Sequence, residues 1–275
     1  MVAGALMFFQ ISRKSSSMQS IHRIAIEQFF KKIVIHDDFG YTLFGSKPVS
    51  ITGYFDPIPS ENWDMTRPNN IIKDGWAALK NYLPQGGLRN YLLEESNLYP
   101  DLKILTLINK RSFVETVDKH RHIFEKVLKR EVTGKKLIEQ LECDEGELFD
   151  LLDRHEGLYG IVLGYGVENA FLFQRRMDLN IYNPNPSFSL SKAVCGKGFK
   201  SLEEEMCFLK DLWVVCEEEK LCPVVLPVFL GIKDSEESRA LIKQYREVRK
   251  ELTQIIYSDH FIEKILLQLG CKVTH

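Results

Sequence analysis

Apolar residues recur at helical spacing along much of the chain. Between Ser20 and His36, Ile21, Ala25, Phe29 and Ile33 fall four apart, with Ile24, Ile26 and Phe30 beside them and Lys31 and Lys32 on the polar side. Such a stripe predicts an amphipathic helix. The same pattern predicts a helix over 71–83, with Trp76, Leu79 and Tyr82 inward. It predicts another over 113–130, with Phe113, Val117, Phe124, Val127 and Leu128 inward. Thr133 caps a helix over 136–141, and Asp144 begins one that runs through Leu152. Ser235 caps a long charged helix to Tyr257, striped by Leu241, Ile242, Tyr245, Val248 and Leu252. A last short helix runs from Phe261 to Leu269 and stops at Gly270. Leu88 to Leu98 reads as a short helix, and Leu202 to Glu219 as a helix or a helix-to-strand passage.

Strand patterns are fewer. Tyr41–Phe44 and Val49–Phe55 are β-branched and aromatic and flank the turn cluster Gly45-Ser46-Lys47-Pro48, which predicts a hairpin over 41–55. Residues 103–109 form a buried strand pattern. Ser112 follows as a helix N-cap, with Glu115 three residues on. Residues 221–232 are β-rich, but Pro223 and Pro227 confine them to an edge or an extended segment.

The stretch Gly160–Arg176 is the most hydrophobic run long enough for a full helix. Ile161, Leu163, Val167, Ala170 and Phe171 cover much of a helical circumference, which predicts burial. Gly160 and Gly164 fall on one face, where another element is expected to approach the bare backbone. Arg175 and Arg176 complement the dipole in the last turn. The fold class that follows is α+β and predominantly helical. Helices pack around a central buried helix, 160–176, with a hairpin over 41–55 and one or two further short strands. One globular domain is expected over 19–275, with 1–18 as a flexible apolar tail and 180–191 as the best candidate boundary.

Composition narrows the function classes. The chain has 275 residues, 44% hydrophobic and 27% charged, with a formal net charge of -2. No basic field favours nucleic acid. The lysines and arginines of 113–130 read as a solvated face. Six cysteines contain no C-x-x-C pair, which fits buried thiols in a reducing compartment better than a disulfide framework. No run reaches the roughly 18 apolar residues of a membrane span. Residues 1–9 are apolar, but Arg13-Lys14 comes after them, the reverse of a secretory signal. A cytoplasmic protein is expected. Membrane contact enters only if the N-terminal segment is the remnant of an anchor.

Familiar catalytic motifs fail in detail. Gly40 to Lys47 has glycines five apart, yet Ser46 precedes Lys47 and Pro48 follows, so the phosphate-loop order is inverted. His155-Glu156 begins a zinc-protease pattern, but Tyr159 stands where the second histidine belongs. His120 and His122 are two apart, not the three or four that a helix needs to aim two ligands at one ion. No metal or cofactor is expected. Cys195, beside Gly196-Lys197-Gly198, is a weak candidate nucleophile.

A polar edge of Tyr165, Glu168 and Arg175 runs along the central stretch. If the hairpin meets it, Asp37, Asp38 and Lys47 face Glu168, Asn169 and Arg175. Lys47 and Arg175, helped by Tyr165 and Asn169, would hold an anionic small molecule, with Asp38 or Glu168 as general base. The plainer alternative is a solvated edge with an arginine pair at a helix end.

Asp38-Phe39-Gly40-Tyr41-Thr42-Leu43-Phe44-Gly45-Ser46-Lys47-Pro48, Gly164-Tyr165-Gly166-Val167-Glu168-Asn169-Ala170 and Ser235–Lys250 resemble proteins of the Chlamydiales, obligate intracellular bacteria. The resemblance implies a bacterial protein in or around a host cell and brings no activity with it. The failed motifs and the long charged helix favour a non-enzymatic interaction or structural protein with a protein partner. The alternatives are an enzyme or ligand-binding protein using the polar cluster, and a membrane-associated factor.

Overall fold

The computed structural model describes residues 21–56, 70–84, 87–99, 101–179, 194–215 and 222–271. The expected tail, 1–18, and the candidate boundary, 180–191, lie outside the described residues. Helix α1 covers 21–36. Then come α2 (Phe39–Leu43), β1 (Val49–Phe55), α3 (Asn70–Lys80), β2 (Tyr91–Tyr99) and β3 (Leu102–Asn109). Five helices follow: α4 (Lys110–Lys119), α5 (Arg121–Leu128), α6 (Gly134–Glu142), α7 (Leu148–Leu151) and α8 (Glu156–Val162). Helices α9 (Val167–Asp178) and α10 (Leu202–Lys210), strands β4 (Trp213–Val215) and β5 (Phe229–Gly231), and helices α11 (Glu236–Ile256) and α12 (Phe261–Leu269) complete the described fold. It is a predominantly helical α+β fold.

Strand β3 is the centre of an antiparallel sheet of order β1-β3-β2, with Val49 opposite Ile108 and Tyr91 opposite Asn109. Side chains alternate between sheet faces, and here each face carries a core. Tyr54, Tyr91, Leu105 and Leu107 join a cluster with α1, α2, α3, α11 and α12. Val49 and Ile108 join the cluster built from α4 to α9. Burial on both faces explains why 103–109 is almost continuously apolar. A third, small cluster links Leu179 at the end of α9 to Leu202, Leu209 and Leu212. Strands β4 and β5 form a separate two-stranded ladder, and β5 lies against α9.

Several helix ends fall where the side chains predict. The Thr133 hydroxyl accepts from the Lys136 N–H, the Ser235 hydroxyl accepts from the Ser238 N–H, and Gly270 closes α12 at φ 78°. Others are corrected. Asn109, not Ser112, caps α4, its side chain accepting from the Ser112 N–H. The helix expected over 113–130 divides at His120 into α4 and α5. The short helix expected over 88–98 is not formed, and Tyr91–Tyr99 is β2. Its pairing with β3 overrides local preference.

The hairpin over 41–55 is not formed. Phe39–Leu43 is a helical turn, entered through Asp38 at φ 61°, and β1 pairs with β3 instead. All five α2 residues are buried, and a Cβ at Gly40 would come within 2.9 Å of Leu252. Tertiary packing decides the conformation there. The central helix over 160–176 is corrected as well: α8 and α9 are separate, and the chain leaves the helix at Gly164 and Gly166, whose φ values of 79° and 88° suit glycine. The two glycines expected on one helix face therefore do different things. Gly160 lets α8 approach α9, since a Cβ there would lie 2.8 Å from the Ala170 Cβ. Gly164 makes the turn.

Among the described residues no helix is long and apolar enough to cross a membrane. No group of three or more His, Cys, Asp or Glu is placed there to hold a metal ion.

Candidate functional site

The break between α8 and α9 frees backbone groups in the interior, and side chains from distant elements satisfy them. Helix α8 ends in carbonyls without intrahelical partners. Lys47 is 1% exposed, and its Nζ donates to the carbonyls of Leu163 and Val49 at 2.6 Å each. The Tyr245 hydroxyl donates to the Gly164 carbonyl at 2.6 Å. On the other side of the break, the Glu237 carboxylate accepts from the N–H groups of Val167 at 2.7 Å and Asn169 at 3.0 Å. A carboxylate there also meets the positive end of α9.

The six candidate residues separate into different roles. Asp38 lies 3.9 Å from the Lys47 ammonium. Burial pushes its carboxyl up, against the pull of Lys47, and Asp37 adds to the rise. Burial lowers Lys47 to about 8, with Asp38 opposing. The Lys47 Nζ lies 5.1 Å from the centre of the Tyr165 ring, and that ring stacks on Phe229 at 5.9 Å. Asn169 is buried and internally committed. Its Nδ2 donates to the Tyr165 carbonyl at 3.0 Å, and its Oδ1 accepts from the Ser238 hydroxyl at 3.3 Å.

Arg175 does not join this group. Counted along α9, it lies about 12 Å beyond Val167. Its guanidinium makes a two-pronged pair with Glu205, Nε to Oε1 at 2.8 Å and an Nη to Oε2 at 2.9 Å, and also donates to the Val194 carbonyl. The Arg175 hydrogen bond holds the Glu205 carboxyl below its ordinary value. Glu168 is exposed in the first turn of α9. The structure thus brings Asp38, Lys47, Tyr165 and Asn169 close to the break. Arg175 is placed in a clamp with α10, and Glu168 at the surface. Cys195 is no activated thiolate, because burial and the carboxylates of Glu205 and Glu204 push its thiol up. All five described cysteines are free. His155, from the failed zinc pattern, caps α8 by accepting from the Leu158 N–H at its Nδ1.

Beside the break lies a cavity of about 330 Å³ between α8, α9, β1 and β5. Ile51, Leu163, Phe173, Phe229 and Leu230 supply apolar walls, and half-exposed Val228 stands at the rim. Glu156, Tyr159 and Tyr165 bring polar groups to this lining. None of these three head groups makes a hydrogen bond or ion pair to any described residue. Burial alone raises the Glu156 carboxyl. Burial, then Glu156 and Glu147, raise the Tyr159 phenol to about 12, and burial chiefly pushes Tyr165 up. Lining of this kind, mostly apolar with a few polar groups, is what small-molecule sites have in common. A second hollow of about 440 Å³ lies between α4 and α11. Ser46, Glu115, Lys119, His120 and Gln244 share its walls with Ile161, Val167 and Leu241.

Sequence reasoning placed Tyr165 and Asn169 near a site but missed Glu156, Tyr159, Glu237 and Tyr245. Glu156 and Tyr159 stood in the sequence as parts of a failed zinc motif. Glu237 and Tyr245 carry no local signal, because their partners lie 70 and 81 residues away. Set against known protein families, curated proteins and solved structures, the chain matches none.

Proposed function

We propose that this protein binds a compact, largely apolar small molecule in the cavity between α8, α9, β1 and β5. One observation carries the reading: Glu156, Tyr159 and Tyr165 stand at an otherwise apolar lining with their hydrogen-bonding capacity unspent. All three side chains are partly exposed, so water reaches them in the free protein, and a ligand would take over its hydrogen bonds. The reading is one of binding. The described lining offers one carboxyl and two un-ionised phenols, without the nucleophile and adjacent base that covalent chemistry needs. The anionic ligand expected from Lys47 and Arg175 loses its support, because Lys47 is spent on backbone carbonyls and Arg175 on Glu205.

The test is titration of the protein with N-phenylnaphthylamine, a neutral fluorophore that brightens in apolar surroundings. At about 0.4 kcal/mol per heavy atom it should bind with a dissociation constant near 10 µM. Binding should saturate at one site and be lost in Val228→Trp, which blocks the rim. Enhancement that never saturates, or that Val228→Trp leaves intact, would refute the reading.

An independent observation supports a second reading, a protein partner. Trp213 is 67% exposed and borders a groove with Phe208, Leu212 and Ile232. Exposed tryptophan beside apolar surface is the type of anchor that interfaces use. Chemical cross-linking in cells that captures the same partner with the wild type and with Trp213→Ser would count against it.

A further inference from the structure

We infer that the occupant of this cavity is a hydrophobic amine, with its ammonium among Glu156, Tyr159 and Tyr165 and its apolar body against Phe173 and Phe229. The inference rests on the small-molecule reading above and adds the sign of the ligand's charge.

The charge inventory of the lining fixes that sign. Among the described residues, Glu156 is the one ionisable side chain other than tyrosine on the lining, and no cationic side chain is there. Cationic side chains on the neighbouring elements are engaged, Arg176 among them. Lys47 lies behind the Tyr165 ring, buried, with its protons on two carbonyls. Arg175 is clamped by Glu205, and Arg154 pairs with Asp150. The field around the phenols is also negative, since Glu156 and Glu147 both act on Tyr159. An anionic ligand would face an uncompensated carboxyl and find two phenol donors at most. A neutral ligand could donate a hydrogen bond to the carboxylate but would leave its charge uncompensated.

An ammonium answers each of these features. It donates to the carboxylate, a charge-assisted bond of the stronger class. It also lies favourably against tyrosine rings, whose faces are negative. Burial raises the Glu156 carboxyl, and a bound cation would draw it back toward the ionised form. The apolar walls then take the rest of the ligand, which must be more than a methylamine to fill about 330 Å³.

The experiment compares three ligands of one shape by calorimetry at pH 7: naphthylethylamine, naphthylethanol and naphthylacetate. The amine should bind about tenfold more tightly than the alcohol, and the carboxylate not measurably. Glu156→Gln should erase the preference for the amine and leave the alcohol's affinity within about twofold. Glu156 makes no bond inside the protein, so the variant should fold; should it melt early, Glu156→Ser serves instead. Equal binding of amine and alcohol, or an amine preference that survives both substitutions, overturns the inference. In that event saturable N-phenylnaphthylamine binding that Val228→Trp abolishes keeps the cavity as a ligand site. Failure of all four probes removes both readings.

Discussion

The Lys47 ammonium donates to the carbonyl oxygen of Leu163 at 2.6 Å, joining residues 116 apart in the chain. That contact closes the end of α8, and with the second bond to the Val49 carbonyl it ties β1 to the turn between α8 and α9. Lys47→Met should therefore destabilise the protein by about 3 kcal/mol, because two buried acceptors lose their donor and Asp38 loses its counter-charge. Lys47→Arg should not restore stability, since the larger head group does not fit a fully enclosed site. Urea denaturation of the three proteins measures both effects.

The same lysine gives stability a pH signature. Burial lowers it to about 8 from 10.5. Below about pH 8 both folded and unfolded chains hold the proton, and Lys47 contributes no slope. Between about 8 and 10.5 the unfolded chain binds more protons, so stability rises with pH. Tyrosines act in the opposite sense. Tyr159, Tyr165 and Tyr245 are raised above 10.0 in the folded state, so their contribution is complete below pH 10 and is lost above it. Cys195 and Cys271 are also raised above 9.0, so their contribution begins to be lost from pH 9.0 upward. Unfolding midpoints should climb from pH 8 to 9.0, where the thiols and then the tyrosines start to oppose the rise. Lys47→Met should lack the climb. A wild-type profile flat from pH 8 to 9.0 would contradict the assignment.

Glu237 is expected to hold the start of α9 with two amide bonds. Glu237→Ala should cost about 1–2 kcal/mol and speed hydrogen exchange at the Val167 and Asn169 amides selectively. Gly166→Ala should do similar damage by another route. Its φ of 88° is unfavourable for alanine, and the new methyl would meet the Glu237 carboxylate. Exchange rates at these amides unchanged in Glu237→Ala would rule out the capping role.

Arg175 and Glu205 should behave as a structural pair, separate from the ligand cavity. A double-mutant cycle of Arg175→Met and Glu205→Gln should return a coupling of about 2 kcal/mol, because Glu205 is buried and the pair is two-pronged. Neither substitution should alter binding of naphthylethylamine by more than about twofold.

How much of this was legible follows from where each signal resides. Helices α1, α6, α11 and α12 were visible because stripe and cap are both local, as at Thr133 and Ser235. Strand β3 was visible because it is buried on both faces. The false hairpin over 41–55 and the false helix over 88–98 share one cause: β1 and β2 take their form from β3, which no short window contains. Gly160 was correctly marked as a place of close approach, but the partner is α9 from the same stretch. The apolar run concealed the break because residues on both sides of it, Val162, Leu163 and Ala170, are buried in one cluster. Lys47, Tyr165 and Asn169 were singled out for binding, and two of them are mainly occupied with holding the backbone. The cavity's own polar groups, Glu156 and Tyr159, had only a failed metal motif to recommend them.

The cluster on one face of the sheet joins Phe29 and Ile33 of α1 to Ile262, Ile265 and Leu269 of α12, and α11 contributes Tyr245 and Leu252 to the same cluster. Biosynthesis delivers α1 well before α11 and α12. A nascent chain that has emerged only as far as residue 234 possesses the sheet and the helix break, but lacks Glu237, Tyr245 and the helices that cover the sheet. Packing of this face must therefore wait for translation of residues 235–269, and until then the early helices are the surface that a ribosome-associated chaperone would meet.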